Sequence, residues 1–321
     1  MSNFIESISL AIKLKMGIVP STQAYEAKYK RDWEDVEFYC KYSSGDDFKE
    51  LKEIRLASKE KQRQLKEKIR SIKLSSDYKR YKKIASSAKL MAMARLRPSF
   101  IDEFEGNKLN SERWLNKFFW GDKIFGKGYS HAEEFHHYTE SENVQVEKGN
   151  LIIHTKGQKN TALSWDKKFG FIPRHCDYTS GIINTGNSFR QKQGRFEAKV
   201  LFEKTPGVYN AFWMVGDTIA PHINIFKINH KFQMGIINDP QKDDQISISS
   251  SLLNESSYIV GIEWDSKTIK WLLNGVVVKK ITNNLPGSSL YLVFSSGVHK
   301  KLEGEVSNQF RVDWVKCYEI C

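Results

Sequence analysis

What this sequence has little of narrows the choices first. Its four cysteines, Cys40, Cys176, Cys317 and Cys321, are too few and too scattered for a disulfide framework or a zinc site. They read as structural thiols, and neither a metal nor any other cofactor is expected. Long apolar runs are also missing. The partly apolar stretch "MSNFIESISLAIKLKMGIVPS" is interrupted by Lys13 and Lys15, has no basic segment before it and no small-residue cleavage site after it. It is expected to be neither a signal peptide nor a membrane span, which points to a cytoplasmic protein or a part of an intracellular or phage assembly. From Thr22 to Arg97 there is no proline and a single glycine, Gly45.

What fills that proline-free stretch is helix composition, rich in Lys, Glu, Leu, Ile and Arg. In "DDFKELKEIRLASKEKQRQLKEKIRSIKL" the apolar residues Phe48, Leu51, Ile54 and Leu56, then Leu65, Ile69 and Ile72, recur with helical spacing and leave a basic face in water. "DFKELKEI" (47–54) overlays "DYKRYKKI" (77–84), and a Ser pair at or near each aspartate signals an N-cap. Two or three short helical hairpins, each burying its apolar face on the next, are expected.

The charge is uneven. Of 50 Lys and Arg against 38 Asp and Glu over 321 residues, residues 1–97 hold 23 and 13, so the net charge of +12 belongs largely to the first third. Domains commonly run to ~100–200 residues, and the sequence divides into a basic α-helical region, 1–97, and a nearly neutral one, 98–321. The excess serves as a solvated helix face or as a docking surface for a protein partner or for self-association. No nucleic-acid motif accompanies it, so nucleic acid is disfavoured.

Past residue 97 the pattern changes to alternation. "VQVEKGNLIIHTK", "GRFEAKVLFEK", "SYIVGIEWD", "TIKWLLNGVVVKKI", "SLYLVFSS" and "FRVDWVKCYEI" are strands separated by Gly, Asn, Asp and Pro turns. Asn274-Gly275 between two apolar runs is a strong hairpin signal. Many short strands over more than two hundred residues predict a β-sandwich, making the protein mostly β with a helical region in front.

Five segments in order, "FIDEFEGNKLNSERW", "HHYTESENVQVEKGNLIIHTK", "YTSGIINTGNSFRQKQGRFEAKVLF", "VYNAFWMVG" and "YIVGIEWDSKTIKWLLNGVVV", resemble glycoside hydrolase family 16, the laminarinase and β-glucanase group. The resemblance covers 98–321 and none of 1–97. It implies a concanavalin-like jelly roll with a glycan cleft on its concave face, and an active-site strand reading E-x-D-x-x-E. Positions i and i+2 share a face of a strand, and a β-bulge returns i+5 to that face. Laid on this pattern, "HINIFK" places His222 at the nucleophile, Asn224 at the assisting and Lys227 at the acid/base position.

Retaining hydrolysis requires two carboxyl groups ~5–5.5 Å apart. None of the three residues supplies one, so no catalytic residue is expected. Glu103, Glu197 and Glu263 fall in segments that match active members and are given structural roles, while Asp217 and Asp239 have no spacing that assigns them to the cleft. Candidate sugar contacts are Trp120, Trp165, Tyr209, Trp213 and Phe226 for stacking, with Asn184 and Arg190 beside the three former reactive positions. Core burial explains Trp213 and Trp264 at least as well. The leading expectation is a non-catalytic structural or interaction scaffold whose helices recruit a partner or self-associate. A carbohydrate-binding module that reuses the cleft comes second, and an O-glycosyl hydrolase with relocated chemistry third.

Overall fold

A computed structural model describes residues 2–125, 128–239 and 242–321, without the side chains of Ser2, Phe125, Asp239 and Lys242. Alternation becomes two stacked sheets. Among the described residues, six strands run in the order Lys242–Ser249, Lys231–Asp239, His222–Ile228, Val208–Val215, Tyr291–Val298 and Ile182–Asn184. All their pairings are antiparallel. A ten-stranded sheet faces them, with Val276–Ile281 at one edge and Gly194–Phe202, Ser257–Trp264 and Ser307–Ile320 near its middle. The protein is thus mostly β, a jelly-roll-like sandwich with helices before its first strand, Leu96–Asp102.

The core lies between the sheets, where alternate residues of each strand interleave. Phe212, Met214, Ile223, Phe226, Phe232 and Phe294 from one sheet meet Phe196, Val260, Trp264, Trp271 and Phe310 from the other. Burying an apolar side chain of this size contributes about 1.5–3 kcal/mol. The Asn274-Gly275 turn forms the expected hairpin between Ile269–Leu273 and Val276–Ile281, with φ of 43° and 74°. Two successive positive φ values are what a tight antiparallel turn of this twist requires.

The helices depart from the expected plan. They are α1 (Ser2–Lys15), α2 (Thr22–Ser44), α3 (Asp46–Leu56), α4 (Lys59–Gln64), α5 (Lys66–Leu74), α6 (Ser76–Ala85) and α7 (Ala88–Met93). One 23-residue helix followed by five short ones replaces the two or three hairpins. Gly45 and Ser58, Ser75 and Ser87 interrupt the run, and each of these serines accepts a backbone N–H of the following turn.

The boundary also moves. The chain forms two compact units, 1–22 with 98–319 and 23–97 with 320–321, so α1 belongs to the sandwich rather than to a helical region spanning 1–97. Leu10 is fully buried, and Ala11 and Leu14 pack beside it against the sandwich core. Lys13 and Lys15 break the apolar run but not the apolar stripe. Lys13 Nζ donates to the Val277 carbonyl, and Ser7 Oγ accepts the Ser247 N–H. Lys279, 1% exposed, is held by Glu6 Oε2 at 3.0 Å, Asp244 Oδ1 at 2.6 Å and Asn3 Oδ1 at 2.8 Å.

Of the four thiols, Cys176 and Cys317 are buried, whereas Cys40 and Cys321 are exposed and so are not packing residues. No helix among the described residues is long and apolar enough to cross a membrane.

A buried cation that loses its partners, or partners that lose their cation, destabilise the fold. Because Glu6 and Asp244 are partly exposed, Lys279→Ala is expected to lower the stability of the sandwich unit by about 1–3 kcal/mol in urea titrations followed by tryptophan fluorescence. A change within error would show that the bonds to Lys279 contribute nothing to seating α1.

Candidate functional site

The outer face of the six-stranded sheet carries a cleft of about 520 Å³. Its floor comes from two neighbouring strands. In Val208–Val215, Asn210, Phe212 and Met214 are buried, while Tyr209 and Trp213 on the opposite face are partly exposed and line the cleft. In His222–Ile228 the alternation breaks once. Trp213 pairs with Asn224 but Phe212 pairs with Phe226, and on the other side Asn224 pairs with Gly235 while Lys227 pairs with Gln233. The extra residue is a β-bulge. Ile225 and Phe226 both turn into the core, and Lys227 returns to the face shared by His222 and Asn224.

The bulge is anchored from the other sheet. Trp271, fully buried in Ile269–Leu273, donates its indole N–H to the Asn224 carbonyl at 2.9 Å. A bulge leaves a backbone group out of its ladder, and burial without a partner would cost about 1–3 kcal/mol.

Each of these three side chains is then fixed by neighbours. His222 stacks on Trp213, ring centroids 4.5 Å apart and planes 8° from parallel. Its Nε2 lies 2.9 Å from Asn224 Oδ1, and Asn224 Nδ2 donates to Gln245 Oε1 at 2.6 Å. Burial pulls the His222 pKa down to about 4 and Lys227 adds to the effect, against a smaller opposing contribution from Asn224. The imidazole is therefore neutral near pH 7. Lys227 Nζ sits 5.3 Å from the Tyr209 ring centroid, an arrangement that favours a cation over the ring face. Burial lowers its pKa as well, opposed by the charges of Glu134 and Asp243.

Glu134 is the residue that the sequence reading misses. Its Oε1 accepts from Tyr209 Oη at 3.1 Å and from Tyr138 Oη at 3.4 Å, and its Oε2 accepts the His131 N–H at 3.1 Å. The two tyrosine hydroxyls are 2.6 Å apart. Burial, then the Glu134 charge, pushes both phenols well above their usual range. A signal for this wall was present in "HAEEFHHY" (131–138), where acids, imidazoles and aromatics crowd eight positions.

The other expected contacts divide. Trp120 lines the cleft, and its indole donates to the Asp217 carbonyl. Phe226 does not line it, being fully buried against Phe202, Phe232 and Phe310, because the bulge reverses its side. Trp165 is half-exposed on the separate strand Asn160–Asp166, stacked edge-on with Phe171. Asn184 is buried, with Nδ2 donating to the Lys117 carbonyl and Oδ1 accepting the Gly186 N–H, so it holds loops together. Arg190 pairs with Asp217 and lies over the rings of Phe119 and Tyr291, outside the cleft lining. Trp264 is core, as burial predicted, and Trp213 is not.

Glu197 and Glu263 pair with Arg195, and Glu103 pairs with Lys316, all away from the cleft. Asp217 is largely exposed, and the Asp239 side chain lies outside the described residues. No group of three or more His, Cys, Asp or Glu side chains among the described residues is arranged to hold a metal.

No family model matches the chain. It is 22% identical over 269 residues to glucan endo-1,3-beta-glucosidase A1 of Niallia circulans, covering 71% of this chain and 38% of that protein. Endo-1,3-1,4-beta-glycanase EglC of Rhizobium meliloti (strain 1021) is 22% identical over 243 residues, and the alignment covers 70% of this chain and 52% of EglC. The clotting factor G alpha subunit of Tachypleus tridentatus is 28% identical over 187 residues, 54% of this chain and 25% of that one. The chain thus spans about half or less of each of these relatives.

Among solved structures, the catalytic domain of the laminarinase from Thermotoga petrophila RKU-1 superposes with a TM-score of 0.55 at 19% identity, over 70% of this chain and 98% of that one. The endo-beta-1,3-glucanase of Pyrococcus furiosus gives 0.57 at 20%, over 70% and 95%. SCLam, a non-specific endo-beta-1,3(4)-glucanase from family GH16, gives 0.57 at 18%, over 71% and 92%. The fold is that of the family 16 laminarinases.

Two outcomes follow from the geometry. Trp271→Phe removes the donor that satisfies the Asn224 carbonyl, and is expected to destabilise the sandwich by about 1–3 kcal/mol and to shift the His222 ring resonances. Trp264→Phe, which touches no bulge carbonyl, should leave those resonances in place. The second outcome concerns pH. The folded pKa of His222 lies below its unfolded value, so the associated stability is complete above about pH 6.5 and declines as pH falls toward 4, where the folded ring also protonates. Denaturation curves for wild type and His222→Asn should diverge only in that window; parallel curves would mean the ring is freely solvated.

Proposed function

We infer that the sandwich unit binds a glycan of the β-glucan type in this cleft and does not cleave it by double displacement. One observation carries the reading. The cleft is open and keeps aromatic walls, Trp120, Trp213 and Tyr209, while its reactive positions hold His222, Asn224 and Lys227. Sugar pockets combine aromatic platforms with a few fixed polar groups, and here Gln245 holds Asn224 while Tyr138 and Tyr209 hold Glu134. The Niallia and Rhizobium relatives and the three fold neighbours bear the names of β-glucan or β-glycan enzymes, which supports the choice of ligand class.

Scaffolding ranks above glycan binding on the sequence, because the sequence assigns no sugar contact with certainty. The aromatic lining of the cleft favours the opposite order. A relocated hydrolase would rest on Glu134, the acid set into the cleft wall. Both of its oxygens already accept hydrogen bonds, from two phenols and one amide, which suits a fixed acceptor for sugar hydroxyls better than a nucleophile. Among the described residues, the other carboxylate in the lining is Glu133, its chain neighbour, whereas retaining chemistry sets its two carboxyl groups on either side of the scissile bond.

Calorimetric titration of the full chain with laminari-oligosaccharides, lichenan fragments and an acidic glycan tests the reading. Binding is expected, and Trp213→Ala should weaken it by roughly tenfold through loss of a stacking face. No reducing sugar should be released from laminarin, lichenan or agarose by wild type. Release above background that disappears in Glu134→Gln would replace binding by hydrolysis, and absence of heat with every glycan would end the glycan reading.

A further inference from the structure

The repeat that joins residues 47–54 to 77–84 finds no use in the cleft, and it lies within the separate helical unit. Its equivalent positions are Phe48 with Tyr78, Leu51 with Tyr81, and Lys52 with Lys82. All six line one groove of about 550 Å³ formed by α3, α4, α5 and α6. Two copies of an aromatic, apolar and lysine triplet therefore contribute to the same groove. Leu51 and Ile54 are buried beneath it, and Ile69 of α5 completes an apolar strip.

The rim is of one sign. Lys52, Arg55, Lys73 and Lys82 border the groove, and no carboxylate belongs to its lining. None of these four cations has an ion-pair partner among the described residues, although Lys28, Arg80 and Lys89 of the same unit are paired with Asp32 and Asp35. Residues 49–83 hold 14 basic and five acidic side chains. Unpaired cations around an apolar strip attract an anionic ligand to the surface, and the strip then selects one with an apolar stripe.

We propose that this groove docks an acidic amphipathic helix of a partner protein, its apolar residues at i, i+3, i+4 and i+7 lying along Phe48, Leu51, Ile54 and Ile69 and its carboxylates meeting the four rim cations. A second copy of this chain fits poorly, because its helical unit carries the same sign of charge. A single-stranded nucleic acid would need free ring faces on which to stack. Tyr81 instead is packed among Tyr39, Tyr42, Phe48 and Tyr78, with ring centroids 5.2, 5.1, 5.2 and 6.2 Å away.

The test uses fluorescence anisotropy on the full chain with four labelled probes: a helical peptide of leucines at the stripe positions and glutamates elsewhere, the same residues scrambled, the striped peptide with lysines for glutamates, and an oligo-dT. The striped acidic peptide should bind about tenfold or more tightly than any other, and its affinity should fall as salt rises. Lys52→Glu with Lys82→Glu should weaken it by about tenfold or more while circular dichroism is unchanged. If that variant loses helicity, Arg55→Gln with Lys73→Gln replaces it, with a severalfold weakening expected. Equal binding of the scrambled peptide, tighter binding of oligo-dT, no binding of any probe, or full affinity in a folded variant would each overturn the proposal.

Discussion

The indole N–H of Trp271 reaches across the core to the carbonyl of Asn224, and the layout of the cleft depends on that bond. Without a bulge, strict alternation would send Phe226 to the same face as His222 and Asn224 and send Lys227 inward. With it, a large aromatic joins the core and a cation joins the cleft. The Asn224 carbonyl accepts its bond from Trp271, a fully buried side chain of the opposite sheet. One buried hydrogen bond thus links the packing of the sandwich to the composition of its outer face.

The cleft floor is polar without being strongly charged. His222 is neutral because burial, helped by the charge of Lys227, lowers its pKa, and Asn224 bridges it to Gln245. The remaining charges are separated by the Tyr209 ring, whose face lies under Lys227 and whose hydroxyl donates to Glu134. A phenol suits both roles, since its ring face attracts a cation and its edge hydroxyl satisfies a carboxylate. His222, Asn224 and Lys227 bring polarity to this face but no carboxyl group of the kind that covalent glycoside chemistry uses.

Much of this is legible in the sequence. Alternation gave the strands, Asn274-Gly275 gave a hairpin, and the odd offset between Asn224 and Lys227 implied a bulge. The same offset should have removed Phe226 from the sugar contacts, but an aromatic next to a reactive position reads as a wall unless the register is followed through. The sequence sets Asn184 and Arg190 beside the cleft because a polar side chain near a cleft motif is indistinguishable there from one that ties loops, as both do in the structure. Glu134 and Tyr138 were missed for a different reason. Glu134, and Tyr138 at the end of the short strand His136–Tyr138, lie 75 and 71 positions before the Tyr209 they meet, and only the sheet topology brings them together. The two lysines in α1 hid its apolar stripe, since Leu10 and Leu14 share a face that Lys13 and Lys15 leave clear.

That helix has a consequence for how the molecule can associate. Open sheets present rows of unpaired backbone groups that recruit strands from other chains. The Ser247 N–H and the Val277 carbonyl are such groups, and α1 occupies them with Ser7 and Lys13. Lys279, sunk between the two strands and held by residues of α1, keeps the helix seated there. Strand exchange and fibril growth are thereby blocked at this end of the sandwich while α1 is in place, and a chain that lost the helix would gain a sticky edge.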